Sequence, residues 1–439
     1  MRILPVVFAL AANAASQSTW IVDDTPGPGV HFTSLPAAVA AAAIGDTLLV
    51  GPGSYRPFQV SGKALSIRGA GNAVTKIDQP SLVLSSDYVA INAVPVGRVF
   101  RLSGVSILQV HQQRLMLRGN GPSTGAVVLD GVISRPWSTV WTSTQDGPGL
   151  QVQNLLVHAH RCVFLGGTTA AIPAGWFGHV GVVAAANAIL VANDCSMRGG
   201  DGAGLSPTTN IPSGSGLFVF DATCRLSGCT LRGGDISGSP GLATRGHGLA
   251  ALGTADITVA GTAADVIAGG TGGTPYVGGL AIECSPPSIV RVHGPVTITG
   301  LVGPTSGSST VSATVGLPPL PRLSFAGTTL GNGALQASQP ITLSLDTAPP
   351  GQLFVLLADL YPGASALPGL STEPLLVSGM AAIASLGLLD PSGVHTLTVV
   401  PATQLPYVVG LSTHWQGFVW DPALGRWLGS NAALLRVQL

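Results

Sequence analysis

Three runs of six residues repeat one pattern along this chain: CVFLGG from Cys162, CSMRGG from Cys195 and CTLRGG from Cys229. Each reads Cys-x-x-x-Gly-Gly, and the steps between them are 195 − 162 = 33 and 229 − 195 = 34 residues. A second landmark, a Gly followed by an apolar pair, stands at Gly149, Gly181, Gly216, Gly248 and Gly279, with steps of 32, 35, 32 and 31. A period of this length marks a chain built from stacked supersecondary units, each unable to bury its apolar face alone. Five such units run from about residue 147 to 303.

The units are strands rather than helices. Gly and β-branched residues are too dense for a helix, and no stripe with a period of 3.6 persists. In the Cys segment, alternate positions are apolar: Cys162/Phe164, Cys195/Met197, Cys229/Leu231 and Val296/Ile298. The intervening ones, such as Ser196/Arg198 and Thr230/Arg232, are mostly polar. Period-two alternation points the cysteines inward, in line with Phe, Met and Leu. In DVIAGG, Asp265 stands where a Cys is due, and a slip of register is expected there because a lone buried carboxylate is costly. LSIRG from Leu65 and LMLRG from Leu115 read as earlier copies of the same strand.

A column of three thiols invites chemistry, but its geometry argues for an inert core ladder. In-register rungs are about 4.8 Å apart, wider than a disulfide's Cβ separation, and a straight column does not converge on a metal. One disulfide or a metal site are the alternatives.

Composition removes other classes. Gly (60) and Pro (33) are abundant and charged residues are only 9%, yet 46% of the chain is hydrophobic, which a disordered chain is not. Lys+Arg and Asp+Glu are 19 each, so nothing draws the protein onto nucleic acid or an anionic membrane. The opening MRILPVVFALAANAASQS reads as a secretory signal peptide cut after Ala14 or Ala15, and no later stretch is apolar for long enough to span a membrane. A secreted, periplasmic or cell-surface location is expected.

The segment from His31 to Gly71 contains an Ala-rich stretch (Pro36 to Ala43), Gly45-Asp46-Thr47, Pro52-Gly53-Ser54-Tyr55 and Ile67-Arg68-Gly69. In this order they resemble the opening of secreted right-handed parallel β-helix proteins, the pectate-lyase-like group. The resemblance covers about residues 20 to 300 and implies a short helix capping the first coil. The expected fold is all-β: a signal peptide (1–15), a right-handed parallel β-helix (16–305), a linker (306–322) and a C-terminal antiparallel β-sandwich (323–439). The last part consists of short apolar strands separated by turns such as PPG and DPSG, and resembles small adhesive, sorting or capping modules of secreted bacterial proteins.

Candidate site residues are few. Arg198 and Arg232 point outward and stack, and Asp201 and Asp235 follow each by three residues in RGGD runs. Together they define a polar shelf suited to a polysaccharide, or else a salt-bridge ladder. In lyases of the resembled group Arg serves as base and Asp residues hold calcium, so calcium is expected only if this chain is a lyase. The clustered acids that polysaccharide hydrolases on this fold carry are absent, Asp23-Asp24 being the only adjacent pair. His158 and His160 alternate in VHAHRC and are read as structural, while Trp415, Phe418, Trp420 and Trp427 are read as core. The expected function is a non-catalytic carbohydrate-binding, adhesion or scaffold role, with no cofactor. The alternative is a polysaccharide lyase or glycoside hydrolase working in a groove of the helix.

Overall fold

In a computed structural model, the chain is described over residues 17–78, 88–109, 115–120, 125–136, 147–167, 179–204, 214–238, 246–271, 279–303, 312–327, 335–336, 340–346, 350–359, 362–365, 375–377, 381–399 and 412–438. The expected signal peptide falls outside this set.

Strand follows strand in a solenoid of three parallel sheets, in agreement with the expected parallel β-helix. Sheet A has 11 strands, from Thr19–Val22 to Ala313–Leu317; sheets B and C have 9 each, from Gly53–Tyr55 to Thr297–Thr299 and from Gln59–Ser61 to Val302–Gly303. Each sheet presents one face to the interior, where side chains stack coil on coil. In sheet B, Phe164, Met197, Leu231, Ile267 and Ile298 are partners in register. In sheet A the inward column runs Phe100, Val127, Val157, Leu190, Cys224 and Ile257. All of these except the half-buried Ile298 are fully buried.

The cysteine ladder is a core column. Cys162, Cys195 and Cys229 are free thiols with at most 2% exposure. The Cys195 Sγ–H donates to the Asn193 carbonyl at 3.3 Å, and the Cys229 thiol reaches the Ala192 and Ser227 carbonyls at 3.4 Å. Burial pushes the Cys195 thiol well above its ordinary range, reinforced by the neighbouring Cys162 and Cys229. The paired glycines after each Cys have a steric cause. A Cβ on Gly200 would lie 1.6 Å from the Gly167 carbonyl oxygen, and one on Gly234 1.9 Å from that of Gly200. Successive corners lock through the backbone, Gly214 N–H to Gly200 O at 3.0 Å and Gly234 N–H to Gly214 O at 2.8 Å.

Three details depart from the sequence reading. Register does not slip at Asp265, because Ile267 stays opposite Leu231. The corner there is longer: Ala260 to Val266 is 6 positions, against 3 from Ser227 to Thr230. Half-buried Asp265 holds that turn, accepting from the Thr262 amide at 2.7 Å and hydroxyl at 3.1 Å. Second, Ile282 rather than Leu280 pairs with Leu249, so Ala281, not Gly279, takes the place of Gly248. Third, LSIRG lies in sheet A and LMLRG in sheet C, so they copy the pattern of the Cys strand but not its position.

The N-terminal cap is a helix, Leu35–Ala41, that buries Leu35, Ala38 and Val39 on the first coil. Ser34 caps its start, and the Lys63 ammonium donates to the carbonyls of Val39, Ala40 and Ala42 at its end. Buried Asp46 ties the entering chain down, accepting from Ser18 N, Trp20 Nε1 and Ala43 N.

The stretch expected to be a linker contains Ala313–Leu317, which pairs with Ile289–His293 as the last strand of sheet A. Beyond it, separate antiparallel sheets form. A three-stranded sheet (Arg322–Ala326, Ile341–Asp346, His395–Val399) and a five-stranded one that includes Leu353–Asp359, Ser412–Asp421 and Arg426–Gln438 share one core of Leu323, Leu343, Leu345, Phe354, Leu356 and Val419. Trp415 packs against this core with Phe325, Phe418 is buried, and Trp420 meets Trp427 edge-on at 5.6 Å. These sheets lie along the side of the solenoid. Leu434 packs on Val99, Ala126 and Val128, and Leu376 and Ala432 pack on Val191, all on the outer face of sheet A.

Candidate functional site

The outer face of sheet A organises the chemistry. Register lines its outward residues into columns. One runs Arg101, Val128, His158, Val191, Arg225, Thr258 and Arg291; the next runs Ser103, Asp130, His160, Asn193, Ser227, Ala260 and His293. The C-terminal strands pack directly on the middle of this face and stand off from the later coils across a cleft.

At the open end lies a cleft of about 560 Å³ between the solenoid and the C-terminal hairpin. Asp256 sits at its polar end. Its Oδ2 accepts from Arg225 Nη2 at 3.0 Å and its Oδ1 from Arg291 Nη1 at 2.7 Å. Burial alone would raise its carboxyl pKa. The charges of Arg225 and Arg291 and their hydrogen bonds outweigh this and hold it below the usual range. His293 donates from Nδ1 to the Pro318 carbonyl at 2.9 Å, which leaves Nε2 as the acceptor nitrogen of a neutral ring. Burial lowers its pKa, the Pro318 bond opposes this, and Arg291 lowers it further. Leu317, Pro318, Pro319, Leu320 and Leu424 supply apolar surface, with Asp421 and Arg426 on the hairpin wall.

Where the face is covered, three imidazoles meet. His158 and His160 come from the strand Leu156–His160, and His414 from the strand Ser412–Asp421. The His414 ring lies 5.5 Å from that of His158 and 6.2 Å from that of His160, centre to centre. His158 and His414 are fully buried and His160 is 4% exposed. The Asn193 amide engages His160 Nδ1 at 3.4 Å. Nε2 of His160 and both ring nitrogens of His414 are buried with no hydrogen-bond partner among the described residues. Burial pushes His160 down to about 3, assisted by the Arg161 charge. It pushes His414 well below the ordinary imidazole value, assisted by His158, His160 and Arg101. All three rings lie in one side-chain cluster whose nitrogens are the type that bind transition metals.

The structure does bring together the four residues of the predicted shelf. Arg198 and Arg232 are register partners. Arg198 Nη2 donates to both oxygens of Asp201 at 2.9 and 3.1 Å and to Asp235 at 3.4 Å, while Arg232 Nη2 donates to Asp235 at 3.0 Å. Asp201 also accepts the Asp235 amide at 2.9 Å, and Asp235 accepts the Thr271 amide and hydroxyl at 2.6 and 2.8 Å. Burial works to raise the Asp235 pKa, but the Thr271 bonds and the two guanidiniums hold it low. The carboxylates are thus occupied in tying one glycine corner to the next. Of the other histidines noted in the sequence, His247 accepts the Leu280 amide at Nδ1 (3.1 Å) and meets Glu283 at Nε2 (3.2 Å). The His179 carbonyl accepts the Gly200 amide at 2.7 Å.

Sequence reasoning did not single out Arg225, Asp256, Arg291 or His414. The first three were reachable through alternation, since TCRLS, DITVA and IVRVH place them outward. His414 carries no local signal, because its significance depends on a strand 254 residues upstream (414 − 160).

No known protein-family profile matches the chain, and no curated protein matches it. Solved structures give distant likenesses. Pectin methylesterase PemA from Erwinia chrysanthemi is 8% identical over 67% of this chain and 92% of that one, with a TM-score of 0.36. The enzymatically active domain of tailspike protein 4 of bacteriophage CBA120 is 12% identical over 89% and 64%, with a TM-score of 0.31. ORF18 of Geobacillus virus E2 is 13% identical over 95% and 86%, with a TM-score of 0.36. The parallel register of the three sheets defines the solenoid by itself. No helix among the described residues is long and apolar enough to cross a membrane.

Proposed function

We propose that this chain is a non-catalytic carbohydrate-binding protein of the cell exterior, and that it holds a saccharide in the cleft between sheet A and the C-terminal hairpin. The observation that supports this is the pairing of the Arg225–Asp256–Arg291 cluster with an apolar wall of Leu317, Pro318, Pro319 and Leu320 in one cleft of about 560 Å³. A sugar ring offers apolar C–H faces and an edge of hydroxyls, and such a cleft meets both. The volume falls in the range of about 300–1,000 Å³ found for small-ligand sites. The cleft lining carries three Arg against two Asp, which suits a neutral sugar or a uronate.

Binding is favoured over hydrolysis by the state of Asp256. The proton donor of a glycosidase is kept protonated by its surroundings, whereas this carboxylate is held ionised with a guanidinium on each oxygen and so cannot fill that role. Glycan-array binding by the wild type, weakened about tenfold or more by Arg291→Ala and by Asp256→Ala, is the expected result. Unchanged binding in both variants would remove the cleft from consideration. Turnover of uronate polymers, with or without calcium, would move the protein to the lyase or hydrolase alternative.

A further inference from the structure

We propose that His158, His160 and His414 form a binding site for one divalent first-row transition-metal ion of the zinc class, and that the ion pins the C-terminal strands to the side of the solenoid. The site goes beyond the saccharide cleft and does not depend on it.

Four observations carry the inference. The first is composition of the joint. Its apolar members are Leu156, Val128, Val191, Leu376, Ala432 and Leu434, a contact whose packing Leu or Val would serve as well as imidazole. The second is satisfaction. Nε2 of His160 and both nitrogens of His414 are buried without a hydrogen-bond partner among the described residues, a state that native interiors avoid. A metal ion would take the lone pair of one nitrogen on each ring, His160 Nε2 and one of the two on His414.

The third is geometry. One ligand nitrogen from each ring lies within 4.8 Å of the other two. Ligands on one tetrahedral zinc, at bonds of about 2.0–2.1 Å, stand about 3.3 Å apart. Closing the site means shortening each N–N separation by at most about 1.5 Å, less than that for any one ring. Three protein nitrogens leave a fourth position for water, a known zinc arrangement.

The fourth is the surrounding shell. The Asn193 side-chain amide lies 3.4 Å from His160 Nδ1, and with its oxygen turned to accept the Nδ1 proton it leaves the lone pair on Nε2 for an ion. Asp130, only 2% exposed, is the register partner of His160 one coil earlier and supplies a nearby negative charge, shared with Arg161 at 2.6 Å. Outer groups of this kind orient and tune metal-bound imidazoles. Two ligands come from one strand of the solenoid and the third from the C-terminal unit, so binding the ion and closing the joint are one event.

The test uses the full chain, stripped with a chelator and desalted, then supplied with Zn²⁺ or Co²⁺. The expected result is one ion retained per chain, a rise in melting temperature on adding Zn²⁺, and the intense visible bands of low-coordinate Co²⁺. His414→Gln and His160→Gln should each weaken retention about a hundredfold and abolish the melting shift, while His247→Gln, at the unrelated Glu283 pair, should change neither. Circular dichroism reports whether each variant folds. If neither does, the wild-type cobalt spectrum decides, because weakly coloured six-coordinate cobalt would mean adventitious surface binding and would overturn the site. So would stoichiometric retention by a folded His414→Gln variant, or no retention by the wild type.

Discussion

The covered and open halves of sheet A's outer face are built from the same columns on strands of the same length, yet they do opposite things. In the covered half, Val128, His158 and Val191 are sealed under Leu434, Leu376 and Ala432. In the open half, the same column continues as Arg225, Thr258 and Arg291, and its charged members keep contact with solvent. The strand pattern dictates which side chains point outward. What outward means is decided by a partner that arrives more than a hundred residues later.

That contrast can be broken with charge. Val191→Asp buries a carboxylate in the joint beside an Arg225 already engaged by Asp256 and should cost about 3 kcal/mol or more, whereas Ile289→Asp, outward in the open half, should stay within about 0.5 kcal/mol. Chemical denaturation of the two variants checks this, and equal effects would mean that the joint is not closed in solution.

A smaller effect is expected across the thickness of a single strand. Cys224 faces the core directly beneath the open half, and burial pushes its thiol up to about 12. Cys224→Ser should cost about 1–3 kcal/mol for its buried hydroxyl, while Thr223→Ser on the outer side of the same strand should be close to neutral. All five thiols are buried, so they should resist alkylation in the folded protein and react fully in denaturant.

The smallest effect belongs to the exposed ion cluster. Asp256 has a folded pKa below its unfolded value, so its contribution is fully present above about pH 4 and is lost as pH falls through the lowered value. Asp256→Asn should flatten that part of the acid limb and leave stability at pH 7 changed by no more than about 1 kcal/mol, as expected for a half-exposed cluster screened by solvent. An unchanged acid limb would show that the Arg225 and Arg291 contacts are not maintained in solution.

Most of the solenoid was legible in the sequence because its rules are local and repeated. Phe164, Met197 and Leu231 keep one register, and the Gly-Gly pairs recur because each corner must admit the backbone of the next. The Arg198–Asp201–Arg232–Asp235 contacts were legible for the same reason, although their bonds to Thr271 were not. The register at Asp265 was misjudged because a longer corner and two bonds to Thr262 accommodate a carboxylate that a tight corner would exclude. His158 and His160 were visible as an alternating pair, but the third ring and the covering strands lie far along the chain. No spacing rule connects LVHAH to STHWQ.

The glycine corners also bear on how such a chain can grow. Because each corner docks on the one before it through glycine backbone and a repeated Asp contact, duplicating a whole coil late in the solenoid would present the same surface to its neighbours and propagate without a misfit. Duplicating a coil beneath the C-terminal strands would instead displace half of their footprint by one strand spacing, about 4.8 Å, and part His414 from the strand that carries His158 and His160. The tail therefore acts as a gauge of length: coils are free to multiply only where it does not reach.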